Sequence, residues 1–186
     1  MFLVTGLGNP GPQYCFNRHN AGFMLVDRLA DQAGARFERT FKRSVSCTTD
    51  WCGREVLLIK PLTYMNRSGG AVAEVLDRFG FSLDCLLVAY DEVSLPLGKI
   101  RFRRSGSSGG HRGMQSIIDV LGTQEIPRVR LGVGAGEPPE DYPDYVLSNF
   151  SKAELVVVDS VLDRAGQAMN CWVCEGIEKT MAKFNG

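Results

Sequence analysis

The chain of 186 residues contains two histidines, His19 and His111, so imidazole proton transfer near neutral pH is confined to two positions. Each sits in a Gly/Asn-rich stretch, NRHNAGF and SGGHRGM. Asp91 follows the apolar run CLLVAY (85–90) on a Tyr-Asp-Glu corner, a rigid support from which a carboxylate can reach an imidazole. A carboxylate accepting from one ring nitrogen fixes the tautomer and raises the basicity of the other, which can then take a proton from water. A structural His19 and a turn-forming Asp91 account for the same residues equally well. Asn9 and Asn66 each follow an apolar run. An amide has donors and an acceptor with which to hold a carbonyl and a hydroxyl, although Asn also favours turns.

A second kind of chemistry is written in charge. Lys99, Arg101, Arg103, Arg104 and Arg112 fall within residues 99–112 with no acid among them, while over the whole chain 21 Lys+Arg balance 21 Asp+Glu. Solvated faces usually mix signs, so this stripe reads as a phosphate-binding footprint. It lacks interleaved aromatics, which argues for recognition of a structured RNA by shape and backbone, without base stacking.

Three other patterns compete. Gly6, Gly8 and Gly11 satisfy the dinucleotide fingerprint, but Pro10 and Pro12 bracket the last glycine, and the only acids about 20 residues on are Asp27 and Asp31 within a helical pattern. Gly106, Ser108 and Gly110 match a nucleophile elbow, yet the sole downstream histidine is three residues away with no acid between. Cys15 precedes His19 by four residues, with nothing adjacent to lower its pKa. The six cysteines (15, 47, 52, 85, 171, 174) are read as free thiols, including the C-x-x-C pair Cys171 and Cys174, which falls within a helical apolar stripe.

Positioning these groups requires rigid elements. Strands are predicted at 2–5, 44–50, 54–60 and 85–90, the last delivering Asp91 at or just past its end. Lys99–Arg103 and Arg128–Leu131 alternate cations with apolar residues, as half-buried strands do. Helical spacing runs through 21–33, with Phe23, Val26, Ala30 and Ala33 on one face, and through 71–79 and 114–121. Ser151 and Glu154 form a capping-box pair opening a long helix with the stripe Leu155, Val158, Leu162, Ala165, Met169 and Trp172. Between them lies an acidic, Pro-rich loop at 137–144. Strands and helices alternate without repeat or linker, so the expectation is one α/β domain over 1–186, with a mixed, mostly parallel twisted sheet and helices on both faces.

With 44% hydrophobic and 23% charged residues, the composition excludes disorder, collagen, coiled coil and membrane spans. No export signal is read at Met1, so the expected location is the cytoplasm, with no membrane partner and a monomeric state.

The blocks GLGNPGPQY (6–14), NRHNAGF (17–23), PLTYMNRSGGAV (61–72), VAYDEVSLPLGKIRFR (88–103), SGGHRGMQSI (108–117) and RVRLGVG (128–134) together resemble bacterial peptidyl-tRNA hydrolases over nearly the whole length. The resemblance implies hydrolysis of the ester between a peptide and tRNA, without metal, cofactor or covalent intermediate. His19 would be the general base and Asp91 its orienting partner. Asn9, Asn66, Tyr14, Tyr64 and Met65 would receive the peptide and the 3′-terminal adenosine, flanked by Gly110, His111 and Arg112. Arg103 and Arg130, with Lys99, Arg101 and Arg104, would hold phosphates of the acceptor stem. The family often carries Asn where this chain has Arg112, so a rearranged substrate or water contact is expected there. The alternative is a non-catalytic RNA binder on the same scaffold, which the resemblance also extends to through organellar splicing factors.

Overall fold

The computed structural model describes residues 1–136 and 141–185. Its strands are β1 (Phe2–Gly6), β2 (Arg39–Thr40), β3 (Ser44–Trp51), β4 (Arg54–Pro61), β5 (Leu86–Pro96), β6 (Ile100–Arg103) and β7 (Arg128–Gly134). They join one sheet in the order β2-β3-β4-β1-β5-β7-β6, in which β4, β1, β5 and β7 run parallel while β3 and β6 run against their neighbours. Central strands buried on both faces need apolar side chains on each, and β1, apart from Thr5, and the first half of β5, Leu86 to Tyr90, supply them. Val4, Leu87 and Ala89 serve one face, Leu3, Leu86, Val88 and Tyr90 the other.

Helices α1 (Ala21–Gln32) and α5 (Lys152–Glu175) cover the first face through Leu25, Leu29, Leu162 and Met169. Helices α2 (Ser68–Phe79) and α3 (Arg112–Leu121) cover the second through Val72, Val75, Met114 and Ile117. The capping box at Ser151 and Glu154 forms as the sequence requires. A short α4 (Tyr142–Leu147) is capped by Asp141, whose Oδ1 accepts the Asp144 amide at 3.0 Å. The rest of the acidic loop, 137–140, lies outside the described residues. A final helix, α6 (Ile177–Phe184), was not legible in the apolar pattern. Just beyond it Asn185 pairs its amide with both backbone groups of Phe102, at 2.6 and 3.0 Å, closing part of the free edge of β6. Among the described residues no helix is long and apolar enough to cross a membrane.

The glycines of the N-terminal segment serve close packing. A Cβ on Gly6 would stand 2.2 Å from the Gly22 carbonyl oxygen, and one on Gly8 would enter the Phe23 ring. This contact sets the rotation of α1: its buried stripe is Leu25, Val26, Leu29 and Ala30, leaving Phe23 half-buried and Ala33 exposed, contrary to the expected face.

Three further expectations change. Strand β5 continues past Asp91 to Pro96, because β7 keeps pairing with it across a register shift between Glu92 and Pro96. Arg128 is fully buried: β7 is flanked by β5 and β6, and the guanidinium donates to the carbonyls of Ile126, Gly106, Ser107 and Gln124. Cys52 and Cys174 are joined in a disulfide, with Cα atoms 6.0 Å apart, which leaves four free thiols among the six cysteines. The C-x-x-C spacing concealed it, since the partner of Cys174 is 122 residues away on the β3–β4 turn and not Cys171.

Candidate active site

The carboxyl ends of β1, β4 and β5 converge, as ligand sites in open parallel sheets do. The segment after β1 carries Asn9, the turn before α1 carries His19, the turn after β4 carries Met65 and Asn66, and β5 carries Asp91. Asp91 is buried, and His19 Nδ1 stands 2.9 and 3.0 Å from its two carboxylate oxygens. His111 Nε2 lies 2.9 Å from Asp91 Oδ1. His111 caps α3: its Nδ1 accepts the Met114 amide at 3.1 Å, which requires the proton on Nε2, pointing at Asp91. Burial alone would raise the Asp91 carboxyl. The charge and hydrogen bonds of His111 and His19 outweigh that and hold it well below the usual carboxylate range. An ionised Asp91 only accepts, so His19 Nδ1 is the donor, and Nε2 is left as the basic nitrogen, without a partner among the described residues.

Each residue of NRHN has its own anchor. The Asn17 amide donates to the Leu147 carbonyl. Arg18, nearly buried, donates to Ser148 Oγ and the Asn149 carbonyl and pairs with Glu154, each at 2.7 Å. Asn20 clamps Asn9, accepting its amide at 2.9 Å and donating to its carbonyl at 3.0 Å. Asn9 Oδ1 in turn accepts the Met65 amide at 3.0 Å, leaving Nδ2 as the free donor.

A cavity of about 740 Å³ opens over these groups. Of the residues singled out by sequence it is lined by Asn9, His19, Tyr64, Met65, Asn66, Asp91, Gly110, His111, Arg112 and Arg130. Tyr14 lies in the turn Pro12–Tyr14, outside the cavity lining. Lys99, Arg101, Arg103 and Arg104 are exposed and also outside it. Sequence reasoning missed Asn20, Glu92 and the wall formed by Tyr142, Val146 and Leu147 of α4. Asn20 and Glu92 directly follow His19 and Asp91, a readable signal; nothing in the acidic segment announced an apolar wall. Ser108 Oγ is bonded to Gln115 at 2.7 Å and Cys15 Sγ to the Pro12 carbonyl at 2.6 Å, so both alternative nucleophiles are turned to other partners.

The cationic stripe is built differently. On one sheet face, Arg101 stands opposite Arg130 and Arg103 opposite Arg128. Like charges directly across strands repel. Buried Arg128 is compensated by carbonyls, and Arg130 by Glu92 at 3.2 Å, so Arg130 is less free for an external anion than the sequence implied. Arg104 approaches Glu178 only at 3.9 Å, while Arg101 and Arg103 have no ion pair among the described residues.

His19, Asp91 and His111 are also the one set among the described residues whose ligand atoms lie close enough to share a cation. Their nitrogens facing Asp91 carry the protons that hold the cluster together, so a metal there would displace both hydrogen bonds.

The peptidyl-tRNA hydrolase family matches residues 3–186. A peptidyl-tRNA hydrolase of Thermotoga sp. (strain RQ2) is 48% identical over 98% of this chain and 96% of its own length. That of Carboxydothermus hydrogenoformans is 46% identical over 100% and 98%. The crystal structure of peptidyl-tRNA hydrolase from Acinetobacter baumannii superposes with a TM-score of 0.93 at 32% identity, covering 100% of this chain and 95% of that one. This chain, with its doubly held carboxylate at the sheet's carboxyl edge, therefore belongs to the peptidyl-tRNA hydrolase family.

Proposed function

We propose that this enzyme cleaves the ester of peptidyl-tRNA by a water molecule that His19 Nε2 deprotonates, without a covalent intermediate. The observation that carries the reading is the two-oxygen grip of Asp91 on His19 Nδ1, which fixes one tautomer and stabilises the imidazolium as it forms. The water attacks the ester carbonyl. The oxygen that gains charge is held by amide donors, Asn9 Nδ2 foremost because Asn9 Oδ1 is already committed. The imidazolium then returns its proton to the departing ribose oxygen. A ribose alkoxide leaves far more readily than an amine, so one base and a few donors suffice.

Tyr64, Met65 and the α4 wall offer apolar surface to the peptide or the terminal adenine. Arg101 and Arg103 take phosphates of the acceptor stem, relieving the repulsion built into β6–β7, with Lys99, Arg104 and Arg130 adding attraction. Binding energy from these remote phosphates orients the ester. All these groups come from one chain, as a monomer requires.

The test is release of the N-acetylamino acid from N-acetylaminoacyl-tRNA by wild type and His19→Ala. Loss of turnover with the imidazole supports the reading, and undiminished turnover in His19→Ala would overturn it.

A further inference from the structure

Beside the main cavity opens a smaller, more open hollow of about 320 Å³, and the two share Asn66, Gly110 and Arg112 in their walls. The rest of the second hollow is polar: Ser108, Gln115, Ser116 and Asp119, with no aliphatic or aromatic side chain. Several of its groups are already engaged. Gln115 Nε2 donates to Asp119 Oδ1 at 2.7 Å, and Ser116 Oγ accepts the Gly69 amide at 3.0 Å. Two charges remain available: the second carboxylate oxygen of Asp119, and the whole guanidinium of Arg112, which is exposed and makes no hydrogen bond or ion pair among the described residues. Both residues are on α3, seven positions apart, so they lie near one helical face with about 10 Å of axial rise between them. A cation on the partition and a carboxylate at the far end suit no simple anion. They suit a nucleotide that presents its phosphate to the first and an amino group of its base to the second.

We propose that this second hollow seats the penultimate nucleotide of the substrate's single-stranded 3′ end. Arg112 grips the phosphodiester joining it to the terminal nucleoside in the main cavity, and Asp119 accepts from the exocyclic amine of its base. This inference rests on the reading of the main cavity as the peptidyl-tRNA site. It makes Arg112 a specificity-determining residue: it discriminates a tRNA end from a lone nucleoside ester, and Asp119 favours cytosine, which offers an amine, over uracil, which offers a carbonyl.

The probes are three non-hydrolysable inhibitors of N-acetylaminoacyl-tRNA turnover: 3′-acylamino-3′-deoxyadenosine, the same molecule extended at its 5′ side by cytidylate, and its uridylate counterpart. Against wild type the cytidylyl compound should inhibit about tenfold more strongly than the mononucleoside. In Arg112→Gln that advantage should shrink to near unity, with Arg112→Lys keeping part of it. Asp119→Asn should narrow the gap between the cytidylyl and uridylyl compounds. Thermal melting confirms that each variant is folded. An equal advantage in wild type and Arg112→Gln, or none in wild type, would overturn the proposal. If wild type leaves the tRNA ester intact, it is the reading of the main cavity that fails. Calorimetric titration of the same compounds then still measures whether Arg112 holds the added phosphate.

Discussion

The corner around Asp91 and the edge formed by β6 and β7 are both crowded with charge-bearing groups, and they treat it in opposite ways. At the corner, one buried carboxylate is gripped by two imidazoles, and Asn9 is clamped by Asn20. At the edge, four arginines stand in two facing pairs, and among the described residues only the two on β7 find compensating partners. The corner spends its interactions on fixing geometry, the condition for proton transfer. The edge leaves its outer cations unpaired, a state that favours whatever anion arrives. On the function proposed above, chemistry and recognition are separated along the sheet: substitutions at the corner should act on kcat, those at the edge on KM and salt dependence.

The sharpest way to break this contrast is His19→Ala. Loss of a general base should lower kcat by about 10²- to 10⁴-fold, with KM for N-acetylaminoacyl-tRNA little changed. A change in KM alone would move His19 from chemistry to binding. Next in size is Asp91→Asn, which removes the negative charge and one of the two oxygens facing His19 Nδ1 and should lower kcat by about 10²-fold or more. It also carries a stability signature. The folded-state pKa of Asp91 is depressed, so its contribution is complete above the ordinary carboxylate value near 3.8 and fades as pH falls from there toward the lower folded value. Melting curves from about pH 4 downward should therefore show wild type losing stability more steeply than Asp91→Asn. Parallel curves would mean that the imidazoles do not stabilise the carboxylate.

Asn20 lies outside the cavity lining, yet Asn20→Ala unclamps Asn9, and kcat should fall about tenfold. An unaffected kcat would show that Asn9 is held well enough by the chain around it. The smallest effect is expected at the edge: Arg101→Glu and Arg103→Glu should each raise KM severalfold and flatten the slope of log KM against log salt by about one. If the slope does not respond, the stripe lies outside the tRNA interface, and the corner and edge do not divide the work as described.

How much of this was legible varies with how local the cause is. The strand of alternating Ile100, Arg101, Phe102 and Arg103 appears as read, because alternation in sequence is alternation across a sheet. The same pattern misled at Arg128, which alternates identically but lies on a strand flanked on both sides by β5 and β6, where its guanidinium meets backbone carbonyls. The α1 stripe was displaced because Gly22 meets the backbone of β1 and β5, a contact between segments far apart in the chain. The disulfide between Cys52 and Cys174 was invisible for the same reason.

Residue types and spacing by themselves fixed the alternating α/β elements, the two candidate imidazoles, the candidate carboxylate and the cationic stripe, since propensity, periodicity and charge are properties of short segments. Only the tertiary structure decided that His111 shares Asp91 with His19, that Asn20 holds Asn9, that Glu92 occupies Arg130, and that Arg112 divides two hollows. Each of those depends on how the elements are arranged and on a few ångströms of approach between residues 11 or more positions apart, which no local pattern encodes.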